Sequence, residues 1–251
     1  MKIRSEKDVV NLREGGRKLG EILSKCAKKA QAGVTLKEID AYAQGLIAEM
    51  GDKPSFMGYG NPPFPGALCL SVNSGIVHGI PNDYVLKEGD ILKIDGGIWH
   101  EGLCTDSALT IGIGEVTQED QELIWATQEA LDAQIAVAVA GNTIGDIGHA
   151  AEAVAKKHDY GYPKELGGHG VGLAVHEKPF IYNYGQPGKG ERLEEGMVIA
   201  LEPMFARGEG KIKLANDGWL YEMADGSQSA QFEHTVIVGK EEAEVLTVRN
   251  D

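Results

Sequence analysis

The sequence predicts an α+β fold in which helices lie outside an antiparallel sheet. A similar phrase occurs twice, AGVTLKEID and AGNTIGDIG, each time between a helical pattern and the start of a second helix. Each helix pair is followed by a segment rich in glycine and proline and then by short apolar strands. Repeated element order of this kind indicates two related, pseudo-symmetric halves. Because no linker or low-complexity stretch separates them, we expect one domain over residues 1–251.

Four helices are predicted from apolar residues that recur at three- and four-residue steps. In both halves the second helix begins with a capping box, formed by Thr35 and Glu38 in the first half and by Thr143 and Asp146 in the second. The predicted helices cover residues 5–32, 35–50, 121–140 and 147–158.

Short apolar segments between the helices predict the strands. Residues 90–98 and 103–113 form a hairpin pattern that turns near residues 100–102. The other predicted strands are residues 67–72, 76–79, 198–204, 218–223 and 231–238.

Composition narrows the function. A hydrophobic content of 42% allows a sizeable core, and a formal charge of -14 argues against a nucleic-acid-binding surface. The three cysteines are widely spaced and odd in number, which favours a reducing cytosol over a disulfide framework. The N-terminal segment lacks the apolar core of a signal peptide, and no apolar run is long enough to span a membrane. We therefore expect a cytoplasmic protein with no membrane or nucleic-acid partner.

Five potential metal ligands lie in five separate strand-like segments. A set of four carboxylates and one imidazole suits two hard divalent cations held close together. Such a centre generates hydroxide at neutral pH and is typical of hydrolases. The five residues are Asp95, Asp106, His169, Glu202 and Glu233.

The two aspartates lie on the predicted hairpin, about equally far from its turn. We therefore expect Asp95 and Asp106 to face each other across the two strands, where unneutralised carboxylates would repel. The alternative for a lone aspartate here is a turn cap or an ion pair with Lys93.

The remaining ligands also interrupt apolar or glycine-rich segments. Glu202 and Glu233 would be costly in their strands without a partner, which is either a metal or a basic side chain. Glycines around His169 let the backbone approach a ligand closely, and a bend brings His176 to the same pocket. His78 lies in a similar glycine-containing run.

Six phrases carry a family resemblance, in the order SVNSGIVHGIP, GDILKIDGG, GLCTDSALTIGIG, GGHGVGLAVHEKP, GMVIALEPM and DGSQSAQFEHTVIV. Together they closely resemble the type I methionine aminopeptidases, over nearly the whole chain. The resemblance implies the pita-bread (creatinase/aminopeptidase) fold and removal of N-terminal methionine from nascent proteins when the second residue is small. It also implies that Asp106 and Glu233 bridge two metals, that Asp95 completes one, and that His169 and Glu202 complete the other.

By the same resemblance, His176 contacts the scissile carbonyl, His78 contacts the amide beyond it, and Glu202 transfers the proton. The methionine side chain would lie among aromatic and sulfur groups, which pack well on a thioether. These groups belong to Tyr59, Phe64, Cys69 and Trp219, although each could equally be an ordinary core residue.

Two departures from the family pattern concern this pocket. The phrase GYGNPPFPG is about two residues longer than usual, which could displace Tyr59. Val175 replaces a residue that is often a bulky aromatic, which could widen the pocket.

The resemblance further implies a monomer that meets nascent N-termini at the ribosome and uses two divalent ions, with Co, Mn, Fe and Zn all acceptable to these ligands. One alternative is an Xaa-Pro aminopeptidase or dipeptidase of the same fold. Another is a metal-free binding module, as in some chromatin and growth-associated proteins of this fold. Retention of all five ligands argues against the module.

Overall fold

Four helices lie in two pairs, one in each half of the chain, in a computed structural model that describes residues 1–249. The predicted capping boxes are confirmed: Thr35 N donates to Glu38 Oε2 and Thr143 N donates to Asp146 Oδ2, each at 2.8 Å. The helices are α1 (Glu6–Lys29), α2 (Leu36–Glu49), α3 (Gln118–Val137) and α4 (Ile144–His158). None of them is both long enough and apolar enough to cross a bilayer.

In the described residues fourteen strands follow the helix pairs, five after the first pair and nine after the second. Those of the first half are β1 (Lys53–Pro54), β2 (Leu68–Val72), β3 (Gly75–Val77), β4 (Ile91–His100) and β5 (Leu103–Gly112). Those of the second half are β6 (Gly167–Gly170), β7 (Glu177–Tyr182), β8 (Val198–Leu201), β9 (Met204–Ala206), β10 (Ile212–Leu214), β11 (Tyr221–Met223), β12 (Ser229–Gln231), β13 (Glu233–Ile237) and β14 (Glu244–Val245).

One nine-stranded antiparallel sheet contains strands of both halves. Its main path is β1-β4-β5-β13-β8-β6-β7, with β2 paired to β4 and β14 paired to β13. In this sheet the halves meet where β5 pairs with β13, and in a separate three-stranded sheet β3 pairs with β11. Helices α1 and α2 contact first-half strands, and α3 and α4 pack on each other. The mixed α and antiparallel β architecture predicted from the sequence is confirmed.

The β4–β5 hairpin places both aspartates on one face, but not opposite each other. Asp95 pairs with Ala108 and Asp106 pairs with Gly97. The expectation that the two carboxylates face each other directly is therefore wrong. They are diagonal neighbours, because the turn at Glu101 and Gly102 takes only two residues and sets the register. Diagonal neighbours are still within reach of a shared cation.

Two predicted long strands are each divided in the structure. Residues 198–204 form β8 and β9, separated by Glu202 and Pro203, and residues 231–238 form β12 and β13, separated by Phe232. Proline has no N–H to donate to a ladder, so strand pairing is interrupted there. β9 and β12 then pair with each other in a separate two-stranded sheet.

Candidate metal centre and its cavity

Every residue that the sequence analysis assigned to a site lies on one cavity of about 420 Å³. The five candidate ligands share it with the two histidines and with the four residues expected around a methionine side chain. The cavity thus contains Asp95, Asp106, His169, Glu202, Glu233, His78, His176, Tyr59, Phe64, Cys69 and Trp219.

The order of the strands explains how distant residues meet. β4, β5, β13, β8 and β6 are consecutive neighbours in the sheet. Each supplies one candidate ligand, within the strand or, for Glu202, immediately after it: Asp95, Asp106, Glu233, Glu202 and His169, in that order. The cluster therefore crosses the middle of the sheet and includes both halves of the chain.

Three of these groups converge closely enough to hold one ion. Single ligand atoms of Asp106, His169 and Glu233 all lie within 4.8 Å of one another, and all three residues are buried. The Nε2 of His169 also lies 3.6 Å from the Oε1 of Glu202. A buried set of carboxylate oxygens and one imidazole is a suitable environment for a divalent cation.

Several of the carboxylate oxygens have no hydrogen-bond partner among residues 1–249. They are Oδ1 of Asp95, Oδ1 of Asp106 and Oε1 of Glu233, all buried. Lys93, the basic residue considered as a partner for the aspartates, instead donates to the carbonyls of Asn73 at 2.7 Å and Ser229 at 3.1 Å. Buried polar atoms are almost always satisfied, so these oxygens fit metal coordination.

The electrostatics lead to the same conclusion. Burial raises the pKa of Asp95 to about 7. Burial, and then the charge of neighbouring carboxylates, raises the pKa of Asp106 and of Glu233 well above the usual range. Carboxylates in this arrangement cannot all be ionised at neutral pH without a positive charge among them. A divalent ion would supply that charge.

His169 is held in the protonation state that a metal ligand needs. Its Nδ1 lies 2.9 Å from the carbonyl oxygen of Gly170, which can only accept, so Nδ1 carries the proton. Burial and then the nearby His176 lower the pKa of His169 to about 3, so the ring is neutral. The unprotonated Nε2 therefore remains available to a cation.

Two glycines beside His169 allow close packing of the neighbouring strands. A Cβ on Gly168 would lie 2.2 Å from the carbonyl oxygen of Ala200 on β8. A Cβ on Gly170 would lie 2.3 Å from the carbonyl oxygen of Lys178 on β7. The two glycines thus allow β6 to fit between its neighbours with His169 directed into the cavity.

His176 is oriented by a contact across the cavity. Its Nδ1 lies 2.8 Å from the hydroxyl of Tyr59, and its ring meets that of His169 edge-on at 4.5 Å. Burial lowers the pKa of His176, which favours the neutral ring. The longer loop at residues 58–66 therefore does not remove Tyr59 from the cavity.

His78 enters the cavity through an unusual backbone conformation. It follows β3 with φ of 61°, a left-handed conformation that is uncommon outside glycine and that clusters at functional sites. Its ring contacts Trp219 and Tyr221 edge-on at 6.2 and 5.9 Å. Burial, and then His176, lower its pKa to about 4, so the ring is neutral at physiological pH.

The apolar part of the cavity is built from the expected aromatic and sulfur groups. Phe64 and Trp219 meet edge-on at 5.2 Å, and Cys69 on β2 pairs with Asp95 on β4. Val175 is buried in the hydrophobic cluster that contains Phe64 and Cys69, but it is not a lining residue. Any effect of Val175 on the pocket must therefore be transmitted through that cluster.

Two supporting residues were missed in the sequence. The amide Nε2 of Gln231 donates to Glu202 Oε2 at 3.2 Å, and the hydroxyl of Thr235 donates to the carbonyl of Asp106 at 2.7 Å. Both lie two residues from Glu233 on the chain, on β12 and β13. A polar side chain next to a candidate ligand in an otherwise apolar strand was the signal that could have identified them.

The sequence is similar to those of known metallopeptidases. The model of metallopeptidase family M24 matches residues 10–240. The methionine aminopeptidase of Clostridium perfringens is 38% identical over 247 residues, which are 98% of both chains. Methionine aminopeptidase 1 of Bacillus subtilis is 38% identical over 94% of each chain.

The fold is similar to those of solved metallopeptidase structures. The crystal structure of a methionine aminopeptidase from Thermotoga maritima superposes with a TM-score of 0.95, at 34% identity, over 99% of this chain and 100% of that one. A prolidase from Pyrococcus horikoshii shares the fold with a TM-score of 0.80, at 23% identity, but this chain covers only 64% of it. The pita-bread fold expected from the sequence is confirmed.

Proposed function

The chain belongs to metallopeptidase family M24, and from this premise we propose how its cavity works as a methionine aminopeptidase. The substrate is a polypeptide whose N-terminal methionine is removed when the second residue is small. The observation that carries the proposal is the buried cluster of carboxylates and one imidazole beneath an aromatic- and sulfur-lined cavity. Divalent metal use follows from that cluster and from the family.

We assign two ions to the cluster. Asp106 and Glu233 lie on the second and third of the five strands, and we assign them to both ions. Asp95, at one end of the series, would complete the first site, and Glu202 and His169, at the other end, would complete the second. The unpartnered oxygens on Asp95, Asp106 and Glu233 support a role of these three residues in binding cations. Fe, Mn, Co and Zn all accept such ligands.

Bound metal supplies a low-pKa water and polarises the scissile carbonyl. The protein residues then stabilise charge and move protons. A neutral His176 can donate a hydrogen bond to the oxygen that becomes negative as water attacks. Glu202 is the carboxylate we assign to take the proton from the attacking water and return it to the leaving amine.

His78 is assigned to the amide on the far side of the scissile bond. Its left-handed backbone brings the imidazole to the cavity between Trp219 and Tyr221. A second residue with a long side chain would have to share this space, so small residues are favoured. Steric exclusion there prevents the attack geometry altogether and can therefore discriminate strongly.

The two alternative functions are less well supported. Likeness to the proline-specific enzymes extends to the fold alone. A metal-free binding module has no need of several buried, unpartnered carboxylate oxygens, which are costly without a cation.

Nascent polypeptides carry N-terminal methionine where they are made, so we place the protein in the cytoplasm, acting as a monomer at the ribosome.

A peptide panel tests the proposed aminopeptidase activity. We expect Met-Ala-Ser to be cleaved efficiently, Met-Lys-Ser at least about 100-fold less efficiently because the long side chain blocks attack, and Gly-Pro peptides negligibly. Preference for Gly-Pro over Met-Ala-Ser would overturn the proposal in favour of the proline-specific alternative.

A further inference from the structure

Strand β7 continues the face of the sheet that holds the metal cluster. It is the last strand on the main path of the sheet and pairs with β6, where His169 is directly opposite Phe180. Phe180 lines the cavity and yet is 40% exposed. It therefore lies at the mouth of the cavity, part inside and part on the surface.

Three further aromatic rings continue from Phe180 in a series of ring contacts outside the cavity. Ring centroids are 4.8 Å apart between Phe180 and Tyr182, 5.1 Å between Tyr182 and Tyr184, and 6.2 Å between Tyr184 and Tyr162. We call these four side chains the aromatic row. Phe180 and Tyr182 share a face because alternate residues of a strand point the same way.

The hydrophobic core accounts for Tyr162, which packs against a core cluster, but not for Phe180 and Tyr182. On β7 the inward positions are Pro179 and Ile181, both buried, and Ile181 joins the main core cluster. The outward positions, Phe180 and Tyr182, would ordinarily be polar on a strand of this kind. Tyr182 is 44% exposed. A contiguous exposed apolar surface next to a cavity is typical of a binding surface.

We propose that the aromatic row binds the substrate polypeptide beyond its second residue, with preference for apolar side chains at the third to sixth positions. This rests on the proposed function, because the N-terminal methionine and the scissile bond must lie inside the cavity. The occupant follows from continuity: the row begins at a residue that lines the cavity, so chain leaving the cavity over Phe180 meets Tyr182 next. An extended chain rises about 3.3 Å per residue, so the row is long enough for roughly four residues, the third to the sixth.

The test compares peptides that differ only beyond the second residue. Met-Ala-Ser, Met-Ala-Ser-Gly-Ser-Gly and Met-Ala-Ser-Leu-Val-Leu are assayed with the wild type, with Tyr182→Ser and with Trp125→Ser. Trp125 lies on α3, is 72% exposed and is outside the aromatic row, so its replacement controls for loss of a surface aromatic. Turnover of Met-Ala-Ser verifies that each variant is folded.

We expect the wild type and Trp125→Ser to have a kcat/KM at least five-fold higher for the apolar hexapeptide than for the glycine–serine one, through a lower KM. Tyr182→Ser should lose this difference and keep its rate on Met-Ala-Ser within two-fold. A wild type without the difference, or a Tyr182→Ser variant that retains it, would overturn the proposal.

Analytical ultracentrifugation of the same proteins tests whether a second copy of the chain, rather than substrate, binds to the aromatic row. Concentration-dependent self-association that disappears in Tyr182→Ser, with no effect on the peptide preference, would make the row an interface between two copies and would refute substrate binding. If the wild type does not cleave Met-Ala-Ser at all, the proposed function itself fails, and the role of the aromatic row fails with it.

Discussion

The hydroxyl of Tyr59 lies 2.8 Å from Nδ1 of His176. This contact joins the pocket assigned to the methionine side chain with the imidazole assigned to the scissile carbonyl. Burial lowers the pKa of His176 and so favours the neutral ring. In the tautomer with the ring proton on Nε2, Nδ1 accepts a hydrogen bond from the hydroxyl of Tyr59. That tautomer is the one that can donate a hydrogen bond to substrate.

Replacement of Tyr59 by phenylalanine tests this link. Tyr59→Phe keeps the ring in the pocket and removes the hydrogen bond, which is worth about 1 kcal/mol. We expect kcat for Met-Ala-Ser to fall about five-fold, by the rate relation of about 1.4 kcal/mol per ten-fold, with KM little changed. Steady-state kinetics measure both parameters. A rise in KM at constant kcat would show that Tyr59 contributes only to binding.

Measuring the metal content of variants distinguishes the metal ligands from the histidines that contact substrate. Asp106→Ala and Glu233→Ala should each lose activity and metal at both sites, because each carboxylate is assigned to two ions. His176→Ala should retain its metal and lose about 10²-fold or more in kcat, as expected for loss of a donor to a developing oxyanion. Elemental analysis of the purified proteins measures occupancy. Loss of metal from His176→Ala would contradict the ligand assignment.

Removal of metal should expose the cost of the buried carboxylates. We expect the chelated wild type to be less stable than the metal-loaded protein by about 3 kcal/mol for each bound ion when the metal is present at 100 times its dissociation constant. Asp106→Asn should raise the unfolding free energy of the chelated protein by about 1–3 kcal/mol, because a neutral amide relieves repulsion. The same variant should gain little from added metal. Urea unfolding with and without chelator measures all four states, and a chelated Asp106→Asn less stable than the chelated wild type would contradict the repulsion.

Protonation of His78 should destabilise the fold. Its folded-state pKa is about 4 against 6.5 unfolded, so the folded protein binds fewer protons between these values. Its contribution to stability is therefore complete above pH 6.5 and is lost as pH falls towards 4. Between pH 6.5 and 5 the wild type should lose about 2 kcal/mol more than His78→Asn. Asparagine tolerates the left-handed backbone, and parallel stability curves for the two chelated proteins would refute the prediction.

Local patterns in the sequence were sufficient to predict the helices and to identify the candidate metal ligands. The capping boxes at Thr35 and Thr143 are local, and they occur where expected. The carboxylates were recognisable because they interrupt apolar strands, where an isolated charge is costly.

Features that depend on non-local geometry were not predictable in the same way. The diagonal register of Asp95 and Asp106 follows from the two-residue turn, and the break in the predicted strand at Glu202 follows from Pro203. The contact of Tyr59 with His176 and the aromatic row of β7 depend on how distant segments pack. Neither β7 nor Gln231 was assigned a role, because nothing in their own segments shows what lies opposite them.

The segment between β5 and α3 divides the chain into two parts, neither of which contains all five candidate ligands. Asp95 and Asp106 lie before it, whereas His169, Glu202 and Glu233 lie after it, and Thr235 on β13 donates to Asp106 on β5. The connecting residues 113–117 contain no regular structure. Cleavage of the backbone there would yield two inactive fragments, so that recovered peptidase activity would serve as a direct reporter of their reassociation.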